Sequence, residues 1–427
     1  MNTKLENAEK AFQGWKKNSI KDRIKVIKKV QNLLETNFAT YAKVITEDMG
    51  KPIIQAEAEV KKCALVCSYY IENAETFLAP KTIKTEAQES FVTYEPLGVI
   101  LGVMPWNFPF WQVFRFAIPT ILAGNTVVVK HASNVTKSAQ LIEDIFKETG
   151  CEDYLYTNLP IPSKDVEAII ANPIIKAITL TGSEDAGKAV SSTAAKYLKK
   201  SVLELGGSNA FIVLEDVDVN EILPTAINAR MQNAGQSCIA GKRFLVQEKV
   251  YDAFVKAFIE GVKKMKFGDP TQRDTEIGPI AREDLAKEVE DLVNKSVNKG
   301  AKIALGGKRK DAYYEPTILT EVTANMDVFT KEVFGPVAPI LKIKDLDEAI
   351  ELSNKSEFGL GVSIFTKDIE TVKNRISEFN EGAVFINEMV KSDPRLPFGG
   401  IKKSGFGREL AENGIKEFVN VKTVYIK

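Results

Sequence analysis

A cysteine set among small residues, in GQSCIAGKRF at 235 to 244, is the first place where this sequence offers chemistry. Cysteine reacts as its thiolate, so a working one needs access and nearby dipoles or cations that stabilise negative charge. Gly235 before it and Ile239-Ala240-Gly241 after it leave Cys238 uncrowded. The chain has four cysteines and a single histidine, so imidazole is almost absent as an activating base. Taken alone, Cys238 divides evenly between a nucleophile and a buried structural thiol. Cys63 and Cys67, four apart in a helical stretch, read as core, and Cys151 as a loop residue.

Three further segments place reactive groups beside turns. In VLELGGSNAF, 202 to 211, Glu204 precedes a Gly-Gly turn at a strand end, where glycines permit backbone geometry and close approaches that other residues forbid. In MPWNFPFWQVFRF, 104 to 116, Asn107 stands where an apolar strand gives way to a helix; it suits a helix cap or an oxyanion donor. In TLTGSEDAGKAV, 179 to 190, Gly182 and Ser183 join a strand to a helix whose free N–H groups suit a phosphate. The spacing is not the G-x-G-x-x-G of the common dinucleotide fingerprint, so this segment alone also reads as a plain strand-to-helix turn.

The elements that must hold these groups follow from periodicity. Residues 3 to 79 carry apolar positions such as Ile24, Ile27, Leu34 and Val44 at helical spacing, with the intervening lysines read as a solvated face. From Leu97 onward short apolar runs alternate with helical segments: LGVILGVM, NTVVVK, IKAITLTG and NAFIVLED, then KRFLVQEKV, PVAPILKI, GVSIFT and GAVFIN. Such alternation predicts parallel sheets covered on both faces, here in two α/β domains. The stretches 82 to 98 and 417 to 427 alternate polar with β-branched or aromatic residues and belong to neither domain, which predicts an arm that pairs with another subunit.

Composition excludes other classes. With 57 basic and 57 acidic side chains the formal charge is zero, which argues against nucleic acid and anionic membrane as partners. The N-terminal stretch lacks the apolar core of a secretory signal, and the longest apolar run is too short to span a bilayer; a cytoplasmic location is expected. No CxxC pair and one histidine leave no zinc-site spacing.

In order along the chain, PWNFP, VVVK, TGS, ELGG, GQSC, KEVFGP and LPFGGIKKSGFGRE resemble the motifs of the aldehyde dehydrogenase superfamily over nearly the whole chain. Within it, FWQVFRFA, KHASN, GQSCIA followed by KRF, and KSDPRLPFGG are most similar to the short bacterial succinate-semialdehyde dehydrogenases. The resemblance implies an α/β aldehyde dehydrogenase fold: a Rossmann-like cofactor domain at 1–79 and 96–205, a catalytic domain at 206–405, and a β oligomerisation arm at 80–95 and 406–427 that builds a homodimer or homotetramer. It also implies that Cys238 attacks an aldehyde carbon, that Asn107 and the Cys238 N–H hold the oxyanion, and that Glu204 activates water to release the acid from a thioester. Around the cofactor, Gly182 and Ser183 would meet the pyrophosphate, Trp106 and Leu205 the nicotinamide, and Glu332 its ribose; Phe334, Asn387 and Phe398 fall on motif positions nearby. Ala240 stands where some relatives carry a second cysteine, which excludes a local disulfide switch. The chain opens at its first helix without the leading strand of longer relatives, from which altered cofactor-domain packing is expected.

Cofactor and substrate follow from charge. NAD-preferring relatives place a glutamate at the end of the segment that here reads Lys130-His131-Ala132-Ser133. A small hydroxyl beside a lysine admits a 2′-phosphate, so NADP is expected, with NAD as the weaker alternative and a solvent-facing His131 as an assistant. Arg115, flanked by Phe114 and Phe116, needs an anionic partner, and a substrate carboxylate would serve, as would a protein one. Trp111 lies one turn earlier on the same face, and Ser392 and Arg243 are secondary candidates. An aldehyde with a distal carboxylate, succinic semialdehyde, is the expected substrate. A Cys238–His131 hydrolase or acyltransferase is the rival reading.

Overall fold

A computed structural model describes residues 2–427. Three helices, α1 (Asn2–Trp15), α2 (Ile20–Met49) and α3 (Ile53–Phe77), open the chain. Ser19 caps α2 by accepting the Asp22 N–H, and Gly50, at φ 75°, ends it in the left-handed conformation that glycine adopts without a Cβ penalty. Pro52 then precedes α3, whose face of Val60, Cys63, Ala64, Cys67 and Tyr70 is buried at helical spacing.

The strands follow as β1 (Glu89–Pro96), β2 (Val99–Met104), β3 (Thr126–His131), β4 (Tyr156–Asn158), β5 (Ile175–Thr181), β6 (Lys200–Glu204), β7 (Asn209–Val213), β8 (Gly241–Gln247), β9 (Lys302–Leu305), β10 (Thr317–Thr320), β11 (Val337–Ile343), β12 (Val362–Phe365), β13 (Val384–Ile386), β14 (Gly405–Phe406) and β15 (Val419–Ile426). A first sheet has the order β14-β6-β5-β2-β3-β4, parallel except for β14. A second has the order β9-β10-β11-β8-β7-β12-β13, parallel except for β9. Helices α4 (Trp111–Leu122), α5 (Thr136–Glu148), α6 (Val166–Ala171) and α7 (Glu184–Lys196) connect strands of the first sheet.

The period of two along each strand sorts side chains between cores. Ile100, Val127, Val129 and Ala177 face the core shared with α2, α3 and α4, while Val99, Leu101, Val128 and Ile178 face the core on the other side. The second sheet does the same, with Ala210, Ile212 and Leu245 on one side and Phe211, Val213, Phe244 and Val246 on the other. Each fully buried Val, Leu, Ile or Phe contributes about 1.5–3 kcal/mol.

The predicted arm strands pair with one another within the chain: β1 and β15 run antiparallel from Glu89 opposite Ile426 to Pro96 opposite Val419. Val421, Tyr425 and Ile426 stay exposed on β15. Immediately before the arm, β14 crosses to the first sheet and lies against β6, so the segment around residue 405 belongs with the strand that ends in Glu204. Among the described residues no helix is long and apolar enough to cross a membrane.

Candidate active site

The chemistry-bearing residues collect at the C-terminal ends of the first sheet's strands, where open parallel sheets place their ligand crevices. β2 ends at Met104 and leads into Trp106 and Asn107; β5 ends at Thr181 and leads into Gly182 and Ser183; β6 ends at Glu204. The nucleophile loop approaches from the second domain. Asn233, Ala234 and Gly235 all take positive φ (55°, 51° and 72°), a turn that is strained for the two with a Cβ. A Cβ at Gly235 would lie 2.2 Å from the Gly335 carbonyl oxygen, so only glycine fits the G of GQSC.

Cys238 is half-buried and lines a cavity of about 370 Å³, which leaves its thiol reachable. Burial pushes the thiol pKa up, and Arg115 and Lys242 pull it down, so these two cations are what the fold supplies to a thiolate. Asn107 is buried; its side-chain Nδ2 donates to Gln236 O at 3.1 Å, and its backbone carbonyl accepts from Asn233 Nδ2 at 2.9 Å. Those bonds tie Asn107, side chain and backbone, to the nucleophile loop and leave one Nδ2 hydrogen for another acceptor.

Glu204 is buried, and neither of its carboxyl oxygens has a hydrogen-bond partner among the described residues. Burial and the neighbouring Glu409 raise its pKa well above the usual carboxylate range, against the pull of Arg115 and Arg408. In the Gly-Gly that follows, a Cβ on Gly207 would lie 2.6 Å from the backbone Cys238 O, which excludes it, and one on Gly206 would displace the Glu332 carboxylate, 2.2 Å away. Glu332 accepts the Gly207 N–H at 3.1 Å and is ion-paired with Lys242, whose Nζ also reaches Gly207 O and Cys238 O. Lys242 is thus a site residue that sequence reasoning passed over; its position four after the nucleophile was the available signal.

The cavity brings together Trp111, Arg115, Ser392 and Phe398 with Cys238. Arg115 requires a correction. Its Nε pairs with the buried Glu409, its Nη2 donates to Thr181 Oγ1 at 3.1 Å, and its guanidinium lies 4.9 Å from the Phe398 ring centre. Of the two partners the sequence left open for it, a substrate or a protein carboxylate, the fold supplies a protein one, 294 residues away in the chain. Arg243 is fully buried, donates to the Ser208, Leu352 and Ser353 carbonyls, and does not line the cavity. Asn387 uses its side chain on the Thr366 backbone and likewise stays outside. Helix α3 supplies a residue read from sequence as part of a solvated face: Lys62 lines the cavity, donates to Ser392 Oγ at 2.8 Å and sits 4.1 Å from the Trp111 ring centre. The first turn of α4, which carries Trp111 and leads to Arg115, is capped from α3 by Glu59, whose Oε1 accepts the Phe110 and Trp111 N–H groups at 2.9 and 3.0 Å.

A second cavity, of about 310 Å³, opens beside β2, β3 and α7. Val166, Leu180, Ala186 and Val190 give it apolar walls, and Lys130 and Lys164 outnumber its one carboxylate, Glu167. Lys130 Nζ donates to Ser163 Oγ at 3.2 Å, and burial lowers its pKa. An apolar slot with two ammonium groups fits an adenosine carrying a phosphate, and the cradle of Gly206 and Glu332 fits a ribose nearer Cys238. Ser163 and Lys164 were missed in the sequence because they lie in a short 3-10 turn, Ser163–Asp165, that carries no motif. Ser183 caps α7 by accepting the Ala186 N–H at 3.3 Å, Gly182 N–H bonds the Glu204 carbonyl at 3.0 Å, and Leu205 packs over Gly187. Trp106 is half-buried and meets Phe334 edge to face at 5.7 Å. Ala132 is half-buried and Ser133 exposed, and neither lines this cavity.

His131 corrects a second expectation. It is buried rather than solvent-facing, its Nε2 lies 3.4 Å from Pro109 O, and burial lowers its pKa to about 4. It lines neither cavity, so it stands as neither a phosphate ligand nor the base of a cysteine–histidine pair.

Known proteins share this arrangement. A probable succinate-semialdehyde dehydrogenase [NADP(+)] of Synechocystis is 48% identical over 429 residues, covering 100% of this chain and 94% of that protein. Succinate-semialdehyde dehydrogenase [NADP(+)] 1 of Mycobacterium tuberculosis is 44% identical over 428 residues, covering 99% and 94%. The crystal structure of succinic semialdehyde dehydrogenase from Streptococcus pyogenes, in complex with NADP+, superposes with a TM-score of 0.97 at 37% identity, covering 100% of this chain and 94% of that one. The model of the aldehyde dehydrogenase family matches residues 1–424. With its nucleophile loop, buried glutamate and paired sheets, the chain belongs to the aldehyde dehydrogenase family.

Proposed function

We propose that this enzyme oxidises an aldehyde bearing a distal carboxylate, succinic semialdehyde foremost, to the corresponding acid, with NADP as the preferred cofactor. The observation that carries this reading is the Cys238 cavity, which is lined by a thiol together with Lys62, Arg115, Ser392 and Trp111. Cationic and hydrogen-bonding groups facing a nucleophile suit a substrate with an aldehyde at one end and an anion at the other. The names of the Synechocystis and M. tuberculosis relatives agree in substrate and cofactor.

The residues act in sequence. The Cys238 thiolate, favoured by Arg115 and Lys242, adds to the aldehyde carbon. The free hydrogen on Asn107 Nδ2 and the Cys238 N–H hold the resulting oxyanion, and the Gln236 bond keeps Asn107 oriented for it. When bound, the nicotinamide supplies the two-electron acceptor for the thiohemiacetal carbon. A thioester on Cys238 remains. Glu204 then takes a proton from water, which attacks the thioester carbonyl and releases the acid. Because neither Glu204 oxygen is bonded, its side chain turns toward Cys238 without breaking a hydrogen bond. Lys130 and Lys164 would favour a 2′-phosphate, with the small Ser133 leaving room for it, and Glu332 would hold the nicotinamide ribose. The exposed apolar edge of β15 serves as the contact for a second copy, giving a homodimer or homotetramer.

The test is reduced-nicotinamide formation with a panel of aldehydes, each with NADP and with NAD. Succinic semialdehyde with NADP should give the highest kcat/KM, and free succinate rather than an acyl-CoA should be the product. A higher kcat/KM for acetaldehyde or betaine aldehyde overturns the substrate reading.

A further inference from the structure

Helix α3 reaches the catalytic loops at two points one turn apart. Glu59 accepts the Phe110 and Trp111 N–H groups, which fixes the start of the helix just beyond Asn107. Gln55, four residues earlier on the same face, accepts the Asn233 N–H with its Oε1 at 2.7 Å. Asn233 opens the nucleophile loop, and it and Ala234 hold the left-handed conformation that a Cβ disfavours. Such a turn persists only where its surroundings over-determine it. Asn233 Nδ2 donates to Asn107 O and, at 3.2 Å, to Gln236 O, and the Asn233 carbonyl accepts from Gln236 N and Nε2 at 3.0 and 2.9 Å. Of these bonds to Asn233, the one from Gln55 alone leaves the two catalytic loops and anchors the turn to a long helix.

We propose that Gln55 is a positioning residue: it holds the strained Asn233–Ala234 turn so that Cys238 and the Asn107 amide keep the spacing that the oxyanion step needs, while Glu59 holds the Asn107 side from the same helix. This rests on the reading of Cys238 as nucleophile and Asn107 as oxyanion donor, and it makes α3 the element that sets their register. Gln55 lines the Cys238 cavity, yet both ends of its amide are engaged by protein, Oε1 by Asn233 N–H and Nε2 by Glu276 O at 2.7 Å. It therefore acts through the loop and not on the substrate.

The consequence lies in rate rather than affinity. Thiolate addition needs the aldehyde oxygen between Asn107 Nδ2 and the Cys238 N–H while the sulfur bonds the aldehyde carbon. Without Gln55 Oε1 the Asn233 N–H loses its acceptor, and the turn is free to relax toward negative φ, carrying Cys238, five residues on, away from Asn107. A misplacement of about 1 Å costs about 100-fold in rate even when the change lies outside the reacting groups. Gln55 takes no part in the cavity at Lys130, so cofactor affinity has no reason to follow.

The experiment follows the burst of reduced nicotinamide by stopped flow in wild type, Gln55→Met and Gln55→Glu, with NADP and with butanal, whose lack of charge keeps the distal end of the substrate out of the comparison. Gln55→Met keeps the side chain's length and removes the acceptor; its burst rate constant should fall about 10–100-fold, with KM for butanal and for NADP unchanged. Gln55→Ala, which removes the same acceptor without adding apolar surface, carries the same expectation. Gln55→Glu returns an oxygen to the Asn233 N–H and should recover most of the rate. A burst at the wild-type rate in Gln55→Met, a fall that lies in KM, or a Gln55→Glu as slow as Gln55→Met makes Gln55 an ordinary wall residue and overturns the proposal. Cys238→Ala and Asn107→Ala, measured alongside, separate this from the reading of the site. If Cys238→Ala still reduces the nicotinamide, or Asn107→Ala keeps the wild-type burst, that reading falls and takes the proposal with it; if both lose the burst while Gln55→Met keeps it, only the role of Gln55 falls.

Discussion

Two buried glutamates, Glu59 on helix α3 and Glu204 at the end of β6, have opposite surroundings. Glu59 accepts two backbone N–H groups with one oxygen and pairs with Lys51 through the other. Glu204 has no partner for either oxygen and faces another carboxylate, Glu409. The first arrangement fixes a helix end; the second raises the proton affinity of a carboxyl that nothing holds in place. A buried charge that is fully bonded builds structure, and one left unbonded is poised for proton transfer.

The sharpest way to break this contrast is Glu204→Gln. Steady-state kcat should fall about 10²–10⁴-fold, the range of a lost general base, while a burst of about one reduced nicotinamide per site survives in rapid-quench or stopped-flow traces. Loss of the burst along with the steady state would move Glu204 to an earlier step. Its melting temperature should stay at or above that of wild type, because the buried carboxyl it replaces has no hydrogen-bond partner to lose. Glu59→Ala should do the reverse, costing about 3–5 kcal/mol in denaturant unfolding because Lys51 and two N–H groups lose their partner.

His131 extends the comparison to a third buried titratable group. Its pKa is about 4 in the fold, against an ordinary value near 6.5, so the unfolded chain binds the extra proton between those values. The stability it favours is complete above about pH 6.5 and is lost as pH falls toward 4, by about 3 kcal/mol in all. His131→Gln should remove that part of the acid sensitivity in unfolding curves measured across this window. The smallest effect expected is a shift in pH profile. The raised pKa of Glu204 makes its base form, and hence deacylation, increase with pH. Glu409→Gln removes the neighbouring negative charge and should move the acid limb of kcat to lower pH; an unmoved limb would mean that Glu409 does not set the Glu204 proton affinity.

The sequence by itself determined the alternation of strands and helices, the loop of small residues around Cys238 and the Gly-Gly after Glu204. These are local demands: a period of two or 3.6, or a backbone approach that excludes a Cβ, is written in neighbouring residues. Only the tertiary structure decided which charges are paired. Arg115 finds Glu409 and Lys62 finds Ser392 across most of the chain, while the local sequence around Lys62, VKKCAL, looks like any solvated helix face. His131 likewise reads as exposed beside Lys130 and is buried, because β3 runs in the interior of the first sheet between β2 and β4. Burial and ion pairing depend on what the fold brings within a few ångströms, and that is set by packing between distant segments rather than by spacing along the chain.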